Sequence, residues 1–587
     1  MSASLTTGFL ISFVASLLLT LGAERVARRA GVVARPAADR WHRETVPLMG
    51  GVAIVLATIV PTLAQAMGDR RLTVLAVTAL AMATVGLVDD LRALSPQVKL
   101  LAQILLATVL IQFGFVLRLT GSGLVDVFVT LFWLVGITNA FNLLDNMDGL
   151  SATIALVATG FRLLFFHWSD DVLGAKVAAT FMGALAGFLV RNFAPAKVFM
   201  GDAGSLFMGF FLAGLSLVDP LPYSRGVVAV LLVPVLVLLV PIFDTAFVTA
   251  TRLLSGRSPA RGGRDHTSHR LVAIGLTERQ AVLLLAAVSA ATGGAAVFSY
   301  RVGPAQAGLL LAALAIGLVL LGAYLGRVRV LEAPDPTASG AVLRLLADFP
   351  YKRQVLTLTL DVGLIAVAYY AAYVLRFEGA FTSVTTELYG SLPIVLVIQL
   401  ATLGGFGLYR GVWQYTGVTD LVRIVKAATV GAMTSMVVLL YISRFQGYSR
   451  TVFVLDWILL IVMIGGSRVS FRLFAELFRR EPESFQRVVI YGAGDGGALL
   501  VREIFNNPTL QRVAVGFIDD DRGKHRTRIH GLPVFGGAEQ IEPLVREQGI
   551  TEIIVSSRKI DGEALTRVRD TCAELQVAVR RASFQLE

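Results

Sequence analysis

Stretches of about twenty apolar residues recur along most of the chain. A backbone crossing hydrocarbon must satisfy its own hydrogen bonds, so each stretch is read as a transmembrane helix. The predicted spans are 4–22, 48–68, 71–88, 99–118, 126–141, 150–167, 175–191, 204–219, 224–243, 280–299 and 305–325, then a second set at 355–375, 390–409, 421–442 and 451–466. Composition agrees, since 55% of the 587 residues are hydrophobic and 16% charged. The first run is followed by Glu24, Arg25, Arg28 and Arg29 with no small-residue cleavage pattern, and reads as a retained span.

Short-loop charge sets the expected orientation. The loop 23–47 carries Arg25, Arg28, Arg29, Arg35, Arg40 and Arg43, which places it in the cytoplasm and the N-terminus outside. Counting spans forward puts Asp89, Asp90, Asp145, Asp148, Asp202, Asp244 and the basic segment 252–270 on that same face; Arg70 and Arg71, in a short outer turn, are the exception. The formal charge of +11 is then accounted for by inside-facing arginines meeting anionic membrane lipids, and calls for no nucleic acid. Cys572 is the only cysteine, which excludes an internal disulfide and a cysteine-based metal cluster.

Composition changes at 326–355, around Glu332-Ala-Pro-Asp-Pro336, and again at 477–487, where the long apolar runs end. Four parts are expected: an eleven-helix membrane domain 1–330, a cytoplasmic linker 331–354, a four-helix membrane domain 355–480 and a soluble domain 486–587. The fold class is therefore a polytopic α-helical membrane protein of about 15 transmembrane helices with a C-terminal cytoplasmic α/β Rossmann-like domain.

Three acidic clusters sit at the edges of apolar runs: Asp89-Asp90, Asn139-Ala-Phe-Asn142-Leu-Leu-Asp145-Asn-Met-Asp148-Gly149, and Gly201-Asp202-Ala-Gly204-Ser205, with Asp244 as a fourth acid. Carboxylates there are costly unless wet, paired or metal-bound, so together they suggest one charged site at a membrane face. Helix capping is the plainer alternative, although Ser or Asn caps without the Coulomb cost. Lys197 could balance the acids or hold a phosphate. His266 and His269, flanked by Arg261, Arg264 and Arg270, share a helical face and suit an anion. A zinc site at the two histidines would lack a third soft ligand nearby.

The motifs Pro47 with Gly50-Gly51, Asp89-Asp90, Asn139 to Leu150, Pro195-Ala-Lys197-Val-Phe-Met-Gly201-Asp202-Ala-Gly204-Ser205 and Asp265-His266-Thr-Ser-His269-Arg270-Leu271 resemble, in order and spacing, the polyprenyl-phosphate N-acetylhexosamine-1-phosphate transferases. The resemblance covers the first ~325 residues and implies Mg2+-dependent transfer, with Mn2+ as the other candidate ion. The sugar-1-phosphate would move from a UDP-N-acetylhexosamine, GlcNAc first among them, to undecaprenyl phosphate. UMP would be released at the cytoplasmic face of the bacterial inner membrane. It implies Asp202 as metal ligand, Asp89 and Asp90 as phosphate-orienting or proton-accepting groups, and Asp145 and Asp148 completing the catalytic rim. Asn142, Lys197, His266, His269 and Arg270 would meet phosphate or nucleotide. Two positions depart from the pattern: Ser268 stands where a third histidine is frequent, and Asn146 where glycine is frequent. A homodimer is one assembly the family resemblance allows.

The second half resembles the membrane and first Rossmann-like part of capsule-type nucleotide-sugar dehydratases. Gly492-x-Gly494-x-x-Gly497 follows a predicted strand, 487–491, and precedes a predicted helix, 498–505, which is the setting of a dinucleotide fingerprint. Further strands are predicted at 513–518 and 552–556, with turns at 519–521 and 531–533. The chain ends at Glu587 before a second dinucleotide domain, and no Tyr–Lys pair follows the fingerprint, so a regulatory or scaffolding module, binding a nucleotide or nucleotide-sugar, is expected rather than a dehydratase. Asp519 lies somewhat beyond the spacing of a ribose-binding acid. A glycine turn kept for packing is the simpler alternative. For the whole chain, the alternative from another class is a transporter or lipid flippase using the acidic groups.

Overall fold

The computed structural model describes residues 3–31, 33–34, 45–120, 122–218, 227–255, 257, 263–302, 304–326, 328, 352–377, 381, 383–409, 418–444, 447–477, 485–507, 510–556 and 562–582. Two compact units divide the chain, 1–478 and 479–587. The first is helical: α1 (Ala3–Ala30), α2 (Gly50–Gln65), α3 (Arg70–Leu91), α4 (Pro96–Gln112), α5 (Gly123–Leu144), α6 (Leu150–Trp168), α7 (Val172–Asn192), α8 (Gly201–Leu215), α9 (Val227–Val237), α10 (Leu239–Leu254), α11 (Thr267–Ala273), α12 (Glu278–Arg301) and α13 (Pro304–Leu325). Four more follow, α14 (Lys352–Phe377), α15 (Thr385–Gly405), α16 (Val418–Ser443) and α17 (Arg450–Leu477).

Among the described residues eleven helices are long and apolar enough to cross a membrane, and α2, α4 and α8 are shorter apolar helices. The chain is thus a multi-pass membrane protein. The predicted span 224–243 is interrupted at Leu238 and resumes as α10, which runs on to Leu254. The cause is Pro241, whose ring displaces the carbonyl of residue 237 and leaves it without its helical donor. Asp244 therefore lies inside a helix rather than after one.

α8 is the centre of the transferase-like bundle. Every residue from Ala203 to Leu215 is buried, against α2, α3 and α5. Close approach requires glycine on the neighbours: a Cβ on Gly51 would lie 2.3 Å from the Gly204 nitrogen, and one on Gly86 2.3 Å from the Asp202 carbonyl oxygen. Both ends of α8 carry charges that suit the helix dipole. Asp90 accepts from the Asp202 and Ala203 N–H groups at 2.8 and 3.0 Å, and Arg162 Nε donates to the Leu215 carbonyl at 3.0 Å. The segment from Pro47 into the start of α2 is stitched to the extended stretch before α8, through Phe199 N to Pro47 O, Gly50 N to Phe199 O and Gly51 N to Met200 O, each 2.9 Å.

The helices α14–α17 form a second bundle, tied across by Arg468 Nη2 donating to both Asp361 oxygens at 3.0 and 2.7 Å in the buried interior. Ile316, Leu320, Ala323 and Tyr324 of α13 pack against its core. The two membrane bundles fall within one compact unit, 1–478, where composition marks domains 1–330 and 355–480. The predicted linker 331–354 lies outside the described residues apart from 352–354.

The C-terminal unit is α/β. Strands β3 (Gln486–Tyr491), β4 (Arg512–Ile518), β7 (Glu552–Val555) and β8 (Ala578–Arg581) form a parallel sheet in the order β4-β3-β7-β8. β1 (Val33–Ala34) pairs with β2 (Val46–Pro47) in the membrane unit, and β5 (Arg528–Ile529) with β6 (Leu532–Pro533) in this one. Helices α18 (Asp495–Asn506), α19 (Ile541–Gln548) and α20 (Gly562–Glu574) complete the unit. Two apolar clusters, one around Val489, Ile553 and Cys572 and the other around Val488, Ile490 and Val501, contain alternate residues of β3 and so cover both sheet faces. The predicted strands match β3, β4 and β7 within a residue, while β8 and the short β5–β6 pair are additions, β6 lying in the predicted turn 531–533.

Candidate active site

Asp89 and Asp90 end α3, Lys99 stands near the start of α4, Asn142 near the end of α5 and Asp202 in the first turn of α8. Those helix ends converge. Lys99 Nζ donates to Asp89 Oδ2 at 2.8 Å and to Asp202 Oδ2 at 3.0 Å, joining two acids that are far apart in sequence. Asp89 Oδ1 also accepts from Leu94 N at 2.6 Å, so the turn between α3 and α4 holds its carboxylate in place. Asn142 Nδ2 reaches Asp202 Oδ1 at 3.1 Å and Ser205 Oγ at 2.9 Å. Asp90 faces the same point from behind, as the cap of α8. Gly201 makes this cap possible, with φ +69 and no room for a Cβ, which would sit 2.6 Å from Asp90 Oδ2.

Asp145 and Asp148 follow α5. Asp148 Oδ2 accepts from Ala196 N at 2.7 Å, fixing the 193–200 segment to the acidic loop. Asp145 is half-buried, and burial, then the charges of Asp202, Asp90 and Asp148, push its carboxyl up to about 8. The acid cluster therefore carries more negative charge than Lys99 alone can neutralise. Lys197, expected to meet phosphate, is exposed, and its backbone N–H donates to Arg191 O at 2.9 Å.

Asp244 belongs to a second group. Its Oδ2 pairs with His266 Nδ1 at 2.8 Å and its Oδ1 accepts from Thr267 N at 2.7 Å, so it orients the histidine loop rather than adding to the acid cluster. Arg252 forms a two-pronged pair with Asp265 at 2.8 and 2.6 Å. His266 and His269 lie edge to face, 6.0 Å apart between ring centres. Burial, and then the charge on His266, lower His269 to about 4, so its ring is neutral at physiological pH. Arg270, for which the resemblance implies a phosphate contact, is held by the protein at three carbonyls. Its Nε donates to Asp265 O, and its Nη1 to Leu325 O at 2.9 Å and Val328 O at 2.8 Å, with the guanidinium stacked over Phe247. It is buried and braces the loop against the end of α13.

The donor set fits a hard divalent cation. The carboxylate oxygens of Asp89 and Asp202, joined through Lys99, are hard donors of the kind Mg2+ takes. Among the described residues no three His, Cys, Asp or Glu side chains are grouped so as to hold a metal ion by themselves.

Lys99 is the functional residue that sequence reasoning missed. It belongs to none of the motifs, but a lysine near the start of an otherwise apolar helix was a usable signal, because an ammonium at such a position calls for partners.

In the C-terminal unit, Gly492, at φ +107, and Gly494 turn the chain from β3 into α18. A Cβ on Gly497 would lie 2.1 Å from Gly492 O, so helix and loop touch there. Asp519, discounted on spacing, ends up beside this loop: its Oδ2 accepts from Ala493 N at 2.7 Å. Burial alone would raise its carboxyl, but the Asp521 and Ala493 N–H groups and the Lys524 ammonium hold it below the usual range.

Comparison with known proteins bears on both halves. The family model "Glycosyl transferase family 4" matches residues 72–219, and "CoA-binding domain" matches 404–582. The Bacillus subtilis protein named "Probable undecaprenyl-phosphate N-acetylglucosaminyl 1-phosphate transferase" is 32% identical over 291 residues, 48% of this chain and 81% of that protein. "Decaprenyl-phosphate N-acetylglucosaminephosphotransferase" of Mycolicibacterium smegmatis is 33% identical over 297 residues, 44% of this chain and 73% of the relative. "Probable polysaccharide biosynthesis protein EpsC" of Bacillus subtilis is 33% identical over 178 residues, 30% of this chain and 29% of that protein. The matched segment 72–219 contains Asp89, Asp90, Lys99, Asn142, Asp145, Asp148 and Asp202, the residues that the helix ends bring together. The chain therefore belongs to glycosyl transferase family 4, among phosphoglycosyl transferases of the polyprenyl-phosphate N-acetylglucosamine-1-phosphate type.

Proposed function

We propose that the chain transfers N-acetylhexosamine-1-phosphate, GlcNAc-1-phosphate first among the candidates, from its UDP-sugar to undecaprenyl phosphate, beginning a lipid-linked cell-surface glycan. The observation that carries this reading is the Lys99 bridge between Asp89 and Asp202, which gathers acids and a cation at the ends of α3, α4 and α8. A site at helix ends suits a lipid phosphate held at an interface. A transporter would instead need ionisable groups along a route through the bundle. The expected face is cytoplasmic, in the bacterial inner membrane, from the loop arginines.

In the reaction, a phosphate oxygen of the lipid attacks the phosphorus that carries the sugar. A new P–O bond forms, the P–O bond to UMP breaks, and UMP leaves with the bonding electrons. A divalent ion, when bound at Asp202 with Asp89 or Asp145, supplies charge neutralisation to the pyrophosphate. Lys99 holds the two carboxylates in register and presents positive charge to the transferring group. Asp89 orients the lipid phosphate, or accepts its proton when it arrives protonated. Asp90 keeps the start of α8 in place. Asp244 pairs with His266 Nδ1 and so orients the ring toward the phosphates. His269 acts as a neutral group. Asn142 and Lys197 line the approach of phosphate or nucleotide.

The 486–587 domain is proposed to bind a nucleotide or nucleotide-sugar at Gly492, Gly494 and Gly497. A loop of backbone N–H groups at a helix start, with Asp519 beside it, supports that reading. The test of the main proposal incubates the purified chain with Mg2+, undecaprenyl phosphate and a panel of UDP-sugars and reads UMP. Release dependent on both lipid and one UDP-acetamido sugar is expected, and its absence with every sugar would refute the reading.

A further inference from the structure

The acidic loop follows α5, while the histidine segment, His266 at the N-cap and Ser268 and His269 in the first turn of α11, is carried by α10 and α13. Arg252 to Asp265, Asp244 to His266 and Arg270 to Leu325 and Val328 hold the histidine loop to α10 and to the end of α13. Those contacts say nothing about its distance from Asp145. Across the gap, Ser268 Oγ donates to Asn146 Oδ1 at 2.6 Å. Asn146 Nδ2 in turn donates to Leu143 O at 2.7 Å, which fixes which end of the amide faces the serine. Ser268 is 1% exposed, so its hydroxyl has no bulk water to fall back on. Asn146 is the residue next to Asp145, and Ser268 is the residue next to His269.

We propose that the Asn146–Ser268 hydrogen bond is a latch that sets the separation of the acidic and histidine loops, and so the space in which the phosphates of the nucleotide-sugar lie. Both are positioning residues and touch no reacting atom. The same two positions are the departures from the family pattern, glycine and histidine being frequent there. They meet each other, and a glycine at 146 would leave the Ser268 hydroxyl without this acceptor. The inference rests on the transferase reading for its consequence, though the latch itself does not.

The experiment uses the full chain in lipid nanodiscs, with Ser268→Ala, Asn146→Ala, the double variant and Ser268→Thr, which keeps the hydroxyl. Steady-state kinetics with UDP-GlcNAc is one readout, and hydrogen–deuterium exchange of the 266–273 amides without substrate is the other. Each single variant is expected to raise KM about tenfold, the scale of one buried hydrogen bond, with kcat changed by less than about threefold. The double variant should be no worse than the single ones, Ser268→Thr should stay near wild type, and exchange should quicken equally in the three broken variants. Effects that multiply in the double variant, or single variants with unchanged KM and unchanged exchange, would overturn the latch. Wild type that releases no UMP from any UDP-sugar, with the exchange coupling intact, would sink the transferase reading and leave the latch standing as a loop-to-loop tie.

Discussion

Asp202 and Asp145 face the same acid cluster with different expected behaviour. Asp202→Asn keeps the shape but removes charge from both Lys99 and the proposed ion, so turnover should fall about 100-fold or more while the protein stays folded. Near-normal turnover at saturating substrate would contradict that role. For Asp145 the sign follows from a carboxyl raised to about 8 in the folded chain. The folded state then binds more protons than the unfolded state between the ordinary carboxylate range and about pH 8, so stability falls as pH rises through that window. Thermal unfolding without divalent ions should show Tm dropping by several degrees from pH 5 to pH 8, and Asp145→Asn should flatten the dependence. An equal slope in wild type and variant would show that Asp145 is not the group responsible. The carboxylates themselves were legible in the sequence because acids at the edges of apolar runs are costly and stand out. Lys99 was legible only as a lone lysine near the start of an apolar helix, with no spacing to name its partners, and the move of Asp244 to the histidine loop was not legible, since it depends on the break at Leu238.

At the scale of helices, α8 separates two acids that the sequence treats as a pair. Asp90 accepts two N–H groups at the start of α8, whereas Asp89 pairs with Lys99 and the Leu94 N–H. Asp90→Asn should therefore cost stability, about 1–2 kcal/mol for a lost helix cap, as well as activity. Asp89→Asn should lose activity with a much smaller change in Tm. Calorimetry or fluorescence melting of both variants decides it, and equal melting losses would contradict the division of labour. Helix existence was readable from apolar length alone, since α5 and the four helices of the second bundle overlap their predicted spans, although α17 runs on to Leu477 past the predicted end at 466. The packing of the second bundle on α13 was not readable. Apolar periodicity marks a buried face but does not name the neighbour that buries it, and a Pro-rich linker looks like a boundary whether or not the flanking bundles touch.

For the whole molecule, the acidic clusters, Lys99 and the histidine loop all precede residue 330. A chain ending there should still release UMP, but with lower Tm than the full protein, because the face of α13 carrying Ile316, Leu320 and Tyr324 loses its cover. Full inactivity of a detergent-solubilised, folded 1–330 chain would mean that the second bundle completes the active site. Residues 486–587, lying within a compact unit of their own, should fold alone and bind a nucleotide measurable by calorimetry, with Gly494→Asp weakening it. The central claim is transfer of a sugar-1-phosphate at the Asp89–Lys99–Asp202 site, and one measurement meets it most directly. The purified full chain and its Lys99→Ala variant are given Mg2+, undecaprenyl phosphate and UDP-GlcNAc, and the lipid product and UMP are quantified together. Equimolar lipid-linked GlcNAc pyrophosphate and UMP from the wild type, with at least about a 100-fold loss in Lys99→Ala, is the predicted result. UMP and lipid product formed equally well without Lys99, or no lipid product from the wild type with any UDP-acetamido sugar, would contradict it.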